Sequence, residues 1–228
     1  MSKNQIPVIT IDGPGGVGKG TVSARVATTL GWRYLDSGAL YRLVALAARL
    51  HAIELTDQES LTQLASHLDV EFKVDKKQVF RIYLEGDDVT ESLRTESCGN
   101  DASIVAAYQP LRDALLERQR AFQEAPGLVA DGRDMGTTIF PDAPLKIFLT
   151  ASQEERAQRR YKQLIGKGLS VNLARLLEEI AERDARDSAR EASPMVAAKD
   201  AVLIDTTEMS IEQVVTRVLD LSKQVLHG

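Results

Sequence analysis

The sequence predicts an α/β fold in which a parallel sheet is flanked by helices. Two observations support this prediction, and a third adds an antiparallel segment to it. An apolar run near the N-terminus leads through a glycine-rich turn into a helix, and short apolar runs then alternate with helical segments along most of the chain. A middle segment shows instead the residue-by-residue alternation of antiparallel strands. With 228 residues and no low-complexity tract or linker, the chain is predicted to form a single domain, residues 1–228.

The individual elements follow from periodicity and from helix-terminating residues. Short apolar runs that suit buried parallel strands occupy residues 7–11, 33–36, 128–131, 145–149 and 202–204. Helical spacing and composition predict helices at about 19–31, 40–50, 95–108, 110–124, 153–165, 171–190 and 211–226. Gly31 ends the first helix, because glycine readily adopts the left-handed conformation that follows a helix.

The segment from about Asp69 to Arg94 breaks the alternation of strands and helices. Apolar residues at positions 70, 72 and 74 alternate with charged ones, and positions 80, 82 and 84 repeat the pattern. This predicts two antiparallel strands joined around residues 75–77. We therefore expect a small β insertion, at about residues 64–95, that projects from the α/β core.

Composition and charge exclude several classes of protein. The chain is 43% hydrophobic and 27% charged, and its single cysteine, Cys98, cannot form an internal disulfide. The N-terminal apolar run has only five residues, and no stretch approaches the 18 or so apolar residues of a membrane span. A net charge of −5 argues against a nucleic-acid partner. We expect a cytoplasmic, monomeric protein with no membrane contact.

A phosphate-binding loop is predicted at residues 13–21, which read GPGGVGKGT. They match the pattern G-x-x-x-x-G-K, with Gly20 inserted before Thr21. The loop follows an apolar strand and opens a helix, so backbone N–H groups and the helix dipole can converge on a phosphate. Lys19 can bridge the β- and γ-phosphates of ATP, and Thr21 is the hydroxyl expected near Mg²⁺. The predicted ATP site comprises Gly13, Pro14, Gly15, Gly16, Val17, Gly18, Lys19, Gly20 and Thr21. A glycine-rich turn without a ligand is the alternative.

Three further segments carry polar residues in suggestive positions: DSGALYR at 36–42, DGRDMGT at 131–137 and RDARDSAR at 183–190. Asp-Ser-Gly is also common turn chemistry, although a helix N-terminus and a guanidinium there could hold a monophosphate. Arg183, Asp187 and Arg190 have the spacing i, i+4, i+7 of one helix face. Glu179–Arg183 and Glu182–Arg186 pairs favour instead a solvated charged helix.

Together with GPGGVGKGT, these segments resemble the set carried by bacterial cytidylate kinases, which belong to the nucleoside monophosphate kinases among P-loop proteins. The resemblance covers essentially the whole chain. No N-K-x-D guanine signature occurs, which argues against a GTPase. Adenylate kinases usually carry D-G-F-P-R where this chain has DGRDMGT, so they are a poorer match.

The resemblance implies transfer of the γ-phosphoryl group of ATP to CMP or dCMP with Mg²⁺. It assigns Arg183 and Asp187 to the acceptor ribose, and Arg133 and Arg190, with Lys19, to the phosphates as catalytic residues. The remaining acceptor residues would be Ser37 and Arg42, which could hold the monophosphate with Tyr41 packing nearby, and Ser103, Arg112 and Asp134, which suit the donor and acceptor pattern of cytosine. Thr21 and Asp131 would lie near the metal. Arg156, Arg159 and Arg160 would form an arginine-rich lid at about 153–170, for which an exposed helix is the alternative.

Two other functions are compatible with the residues alone. A kinase for another small acceptor would keep Lys19 but would not need the set of Ser103, Arg112 and Asp134. A non-catalytic nucleotide-binding module would bind ATP without turnover, and it would leave the second group of arginines unexplained.

Overall fold

The computed structural model describes residues 6–74 and 80–227 and divides the chain into two compact units. One unit runs up to Asp36 and resumes at Gln119; the other is Ser37–Arg118. The strands in the described ranges are β1 Val8–Asp12, β2 Arg33–Asp36, β3 Val70–Val74, β4 Phe80–Leu84, β5 Asp87–Asp88, β6 Leu128–Gly132, β7 Leu145–Thr150 and β8 Val202–Asp205. The α-helices are α1 Lys19–Leu30, α2 Ser37–Leu50, α3 Gln58–Ser66, α4 Glu96–Val105, α5 Gln109–Arg120, α6 Gln153–Gly166, α7 Leu173–Ala189 and α8 Ile211–His227.

The first unit is built on a five-stranded parallel sheet, in the order β2-β6-β1-β7-β8. The predicted parallel sheet is thus confirmed. All residues of β1 and β6 are buried, which explains why these strands read as continuous apolar runs. In the register of the sheet, Ile11 lies beside Asp131 on one side and Ile147 on the other. The carboxyl ends of the three central strands therefore meet at one edge, where ligands bind in sheets of this kind.

The hydrophobic core of this unit lies between the sheet and helices α1 and α8, which pack on one another. Its fully buried members include Ile9, Ile11, Val22, Val26 and Val129. Gly31 follows α1 in the predicted left-handed conformation, with a φ of 66° and an N–H that bonds back to the last turn. None of the helices within residues 6–74 and 80–227 is long and apolar enough to cross a membrane.

The second unit contains the small antiparallel sheet, in the order β3-β4-β5. The two predicted strands are confirmed, whereas the predicted turn at residues 75–77 lies outside the described residues. The short strand β5 and helix α3 of this unit were not predicted. Asp57 starts α3 by accepting a hydrogen bond from the Ser60 N–H, which is a recognisable helix signal. Helix α2 packs against α3 and α4.

Several element ends differ from the predictions for local reasons. Helix α4 begins after Thr95, whose hydroxyl accepts from the Cys98 N–H. Helix α5 ends at Arg120, four residues early, because the next N–H groups bond three residues back in tighter turns. The predicted loop after β6 contains a π-helical turn, Met135–Ile139. That turn becomes important in the site.

Candidate active site

The glycine-rich loop joins β1 to α1 at the carboxyl edge of the parallel sheet. Gly13 has a φ of 141°, and a Cβ there would lie 2.1 Å from the carbonyl oxygen of Leu149, so only glycine fits. Gly18 caps α1 in the left-handed conformation and offers no side-chain acceptor to the first helical N–H groups. Those groups and the helix dipole suit a phosphate.

Lys19 lies at the buried start of α1, with only 7% of its surface exposed. Its Nζ donates to the carbonyl of Pro14 at 2.9 Å and is 4.0 Å from Oδ1 of Asp131. Burial and the positive charge of Arg133 lower the pKa of Lys19, and burial raises the pKa of Asp131. A bound polyphosphate would favour the charged form of this lysine, because its negative charge offsets both effects.

Arg133 and Arg183 lie against the same loop. A Cβ on Gly15 would be 3.5 Å from Nη2 of Arg133 and 3.9 Å from Nη1 of Arg183. Nε of Arg133 donates to Oδ2 of Asp187 at 3.0 Å, and Nε of Arg183 is 4.0 Å from the same oxygen. The Asp187 side chain is buried and that of Arg183 mostly so, which is the opposite of a solvated charged face. Three cations, two of them joined by one carboxylate, therefore converge on the loop.

Arg190 stands at the C-terminal end of the predicted helix face. Helix α7 ends at Ala189, and Arg190 caps it, with its N–H still bonded to the carbonyl of Arg186 and with extended backbone after it. Its Nη2 is 3.7 Å from Oδ1 of Asp134, and its Nε donates to the carbonyl of Ser193 at 2.7 Å. The side chains of Arg190 and Asp134 are each 4% exposed. The predicted base residue is thus paired with a predicted phosphate residue.

Two residues that sequence reasoning missed also belong to this edge of the sheet. Asp12, the last residue of β1, accepts hydrogen bonds from the N–H groups of Met135 and Gly136, at 2.8 Å each. The hydroxyl of Tyr34 donates to Oδ2 of Asp131 at 3.4 Å. The position of Asp12 directly before Gly13 was the available signal. Tyr34 carried none beyond its place in β2.

The predicted lid arginines differ in their surroundings. Arg156 is 3% exposed, and its guanidinium donates to the carbonyl of Gly15 at 3.0 Å and to both carboxylate oxygens of Asp184. Arg159 donates to the carbonyls of Val17 and Thr206. Arg160 donates to Gln163 on its own helix. An exposed helix face is therefore the wrong description of Arg156, which holds the backbone of the phosphate loop.

The second unit holds the other predicted acceptor residues. Ser37, Tyr41, Ser103 and Arg112 are all buried. The guanidinium of Arg112 lies 5.5 Å from the centre of the Tyr41 ring, which joins α5 to α2, and it donates to the carbonyl of Ala106 at 3.2 Å. Arg42 donates to the carbonyl of Leu93 at 2.6 Å. Burial of these polar side chains suits a built polar site.

The protein oxygens beside the loop could supply only a few of the ligands of a Mg²⁺ ion. Thr21 is an exposed residue in the first turn of α1, and Asp131 has its carboxylate near Lys19. Within the part of the chain that the structure describes, no three His, Cys, Asp or Glu side chains form a metal-binding group. Mg²⁺ commonly keeps several waters and binds one or two carboxylates together with substrate phosphates. The donor set fits that mode of binding.

Comparisons with known proteins identify a family for the chain. Residues 9–224 match the family model described as cytidylate kinase. The chain is 61% identical over 215 residues to a cytidylate kinase of Stutzerimonas stutzeri, with 94% of each chain covered. It is 60% identical over 220 residues to a cytidylate kinase of Pseudomonas paraeruginosa, covering 96% of each. A cytidylate kinase of Pseudomonas fluorescens is 62% identical over 214 residues, covering 93% of each.

Proposed function

The chain belongs to the cytidylate kinase family, and we propose that it transfers the γ-phosphoryl group of ATP to CMP or dCMP, giving ADP and CDP or dCDP. The observation that carries this proposal is the convergence of Lys19, Arg133 and Arg183 on the phosphate loop. One lysine and two arginines at a helix N-terminus match a reaction that concentrates negative charge on phosphate oxygens.

The proposed chemistry is direct transfer between two bound phosphates. The transition state is loose, and negative charge spreads over the peripheral oxygens of the transferring group. Lys19, Arg133 and Arg190 are the residues proposed to neutralise this charge and to hold donor and acceptor in line. The acceptor is already an anionic phosphate oxygen, so a strong general base is not required. No covalent enzyme intermediate forms.

When bound with ATP, Mg²⁺ would supply positive charge that reduces the negative charge of the phosphates. Thr21 and Asp131 are the residues proposed to hold it, in part through water. Lys19 keeps its own contact with the loop through the Pro14 carbonyl. Tyr34 steadies the Asp131 carboxylate from the side of β2.

The acceptor sugar and phosphate are assigned as follows. Asp187 is proposed to accept from the ribose 2′-OH while it holds Arg133 through its Oδ2. Arg183 would contact the ribose, and Arg190 the phosphates. In the second unit, we assign Ser37 and Arg42 to the acceptor phosphate, with Tyr41 packing nearby, because a helix N-terminus and a guanidinium together suit a dianion.

Cytosine presents an amino donor beside two acceptors, and the proposed base residues match this pattern. The Asp134 carboxylate would accept from the 4-amino group, and Ser103 and Arg112 would donate to the ring edge. Uracil reverses the pattern at positions 3 and 4, which would leave buried groups unpaired. Buried polar groups of this kind support discrimination between the two bases.

The remaining roles are proposals of the same standing. We propose that residues 153–170, with Arg156, Arg159 and Arg160, act as the lid over ATP, and that the insertion at about 64–95 serves acceptor binding within one kinase domain. Arg156 and Arg159 already hold carbonyls of the phosphate loop, which supports a role at the ATP side. The cytoplasmic location and the monomeric state stay predictions from the sequence.

A coupled assay of ADP release tests the proposal. ATP and Mg²⁺ are supplied with AMP, CMP, dCMP, GMP or UMP in turn, and kcat/KM is measured for each. We expect CMP and dCMP to be the preferred acceptors. A clear preference for another acceptor would show a different kinase, and ATP binding without turnover on any acceptor would show a non-catalytic module. Lys19→Met, which removes the charge but keeps an unbranched chain, is the matched inactive control.

A further inference from the structure

Asp12 is a buried carboxylate that the proposed reaction does not use. It ends β1, lies 4% exposed and directly precedes the phosphate loop. Each of its two oxygens accepts one backbone N–H, Oδ1 from Met135 and Oδ2 from Gly136, at 2.8 Å in both cases. These are the first two N–H groups of the π-helical turn. The carboxylate of a neighbouring strand therefore caps the turn.

Asp134 occupies the position from which a side chain would normally cap this turn. Aspartate is among the preferred residues there, because its carboxylate can accept from the first N–H groups. The Asp134 side chain makes no such hydrogen bond, and its Oδ1 lies 3.7 Å from Arg190 instead. Because Asp12 accepts from these two amides, the turn does not use the Asp134 carboxylate as its cap.

The other side of the turn has room for backbone only. A Cβ on Gly136 would lie 2.8 Å from the Thr10 hydroxyl oxygen and 3.2 Å from Cγ of Lys146. Thr10 and Lys146 are paired residues on β1 and β7, so the wall is part of the sheet. The turn is held by the Asp12 carboxylate and closely packed against this wall. Its position, and with it that of Asp134, is fixed by the sheet.

We infer that Asp12 is a positioning residue for base selection, which holds the turn after β6 so that the Asp134 carboxylate meets the amino group of cytosine. The inference rests on the proposed function. Asp12 would touch neither nucleotide. Removing its capping role should therefore weaken the preference for CMP over UMP, rather than the binding of ATP.

Asp12→Asn at pH 8 is the central test. The side chain keeps its size and one acceptor oxygen, but its NH₂ group then faces an N–H donor of the turn, and two donors cannot bond. We expect the CMP to UMP ratio of kcat/KM to fall about tenfold or more, and KM for ATP to stay within about twofold. Hydrogen exchange at the amides of Met135 and Gly136 should accelerate. Asp57→Asn is the matched control, since Asp57 also accepts a backbone N–H, at the start of α3. It should keep the wild-type ratio.

The outcomes separate the inference from the function on which it rests. A folded Asp12→Asn protein with the wild-type ratio would overturn the inference. If that variant does not fold, Gly136→Ala displaces the turn from its other side, and an unchanged ratio in the folded variant would be equally decisive. A wild-type protein with no preference for CMP would overturn the proposed function and the link to the base. The exchange rates would then still decide whether Asp12 holds the turn.

Discussion

Replacing Asp134 with asparagine separates base recognition from the ion pair that the structure reveals. Asparagine keeps the shape and one acceptor oxygen, but it removes the charge and adds an NH₂ donor that suits O4 of uracil. A hydrogen bond to a charged partner contributes about 1.5–3 kcal/mol, so kcat/KM for CMP should fall about 10- to 150-fold. UMP should lose less or gain. The CMP to UMP ratio in the coupled assay should therefore fall about tenfold or more.

Stability should change as well, because Asp134 and Arg190 are both buried and 3.7 Å apart. Removing one partner of a buried pair can cost about 3–5 kcal/mol, but Arg190 keeps its bond to the Ser193 carbonyl, so we expect about 1–3 kcal/mol. For a chain of this length that lowers Tm by about 2–12 °C. Asp200→Asn, which breaks the ion pair of the mostly buried Lys146, is the control and should keep the wild-type ratio. A lowered Tm with an unchanged ratio would show that Asp134 serves only as the counter-charge of Arg190.

Four further predictions address the phosphate loop, the sugar and pH. Lys19→Ala should lower kcat by at least about 10²-fold, because it removes a charge aimed at the transferring group; near wild-type turnover in the coupled assay would argue against this role. Asp187→Ala should lower kcat/KM for CMP more than for dCMP, since only CMP offers a 2′-OH, and equal losses in a folded variant would remove Asp187 from the sugar site. Arg156→Lys should raise KM for ATP about tenfold, because lysine cannot reproduce the two-pronged contact with Asp184 while holding the loop; an unchanged KM would contradict this. Burial raises the pKa of Asp12 from 3.8 to about 7. The folded protein therefore holds the Asp12 proton more tightly than the unfolded chain does, and the stability that this proton contributes is lost as pH rises from about 4 to 7. Urea titrations should therefore show that the wild-type protein loses free energy of unfolding relative to Asp12→Asn over this pH range. A gain relative to the variant would refute the predicted direction.

The fold was predictable because its signals are local. Five apolar runs, a glycine-rich loop and alternating residues around β3 and β4 were sufficient for the sheet and the insertion. The strand order is not encoded in any one segment, since it depends on how separate strands pair. The π-helical turn was missed for a similar reason. Its amides are satisfied by Asp12, which is more than 120 residues away in sequence.

The residue types of the site were enough to name its candidates, but they did not predict which of those residues pair with one another. Arg183 and Asp187 follow helical spacing and do meet, but the partner of Arg190 is Asp134, which lies in the turn after β6 and not on α7. The burial of Arg156 likewise depends on Asp184 and the Gly15 carbonyl, which only the folded chain brings to it. Residue spacing predicts contacts within one helix or strand, whereas the contacts of Arg156 and Arg190 each join two separate parts of the chain.

Gly13 and Gly15, two residues apart, should tolerate substitution very differently. At Gly13 a side chain would collide with the carbonyl oxygen of Leu149, which cannot move because it belongs to a central strand of the sheet. A saturation library should therefore reject every other amino acid at position 13, even when only folding is selected. At Gly15 the nearest atom is the tip of a flexible arginine at ordinary contact distance, so alanine and serine should survive. The same loop thus contains one position at which the fold permits only glycine and another at which the residue can change while the phosphate site is kept.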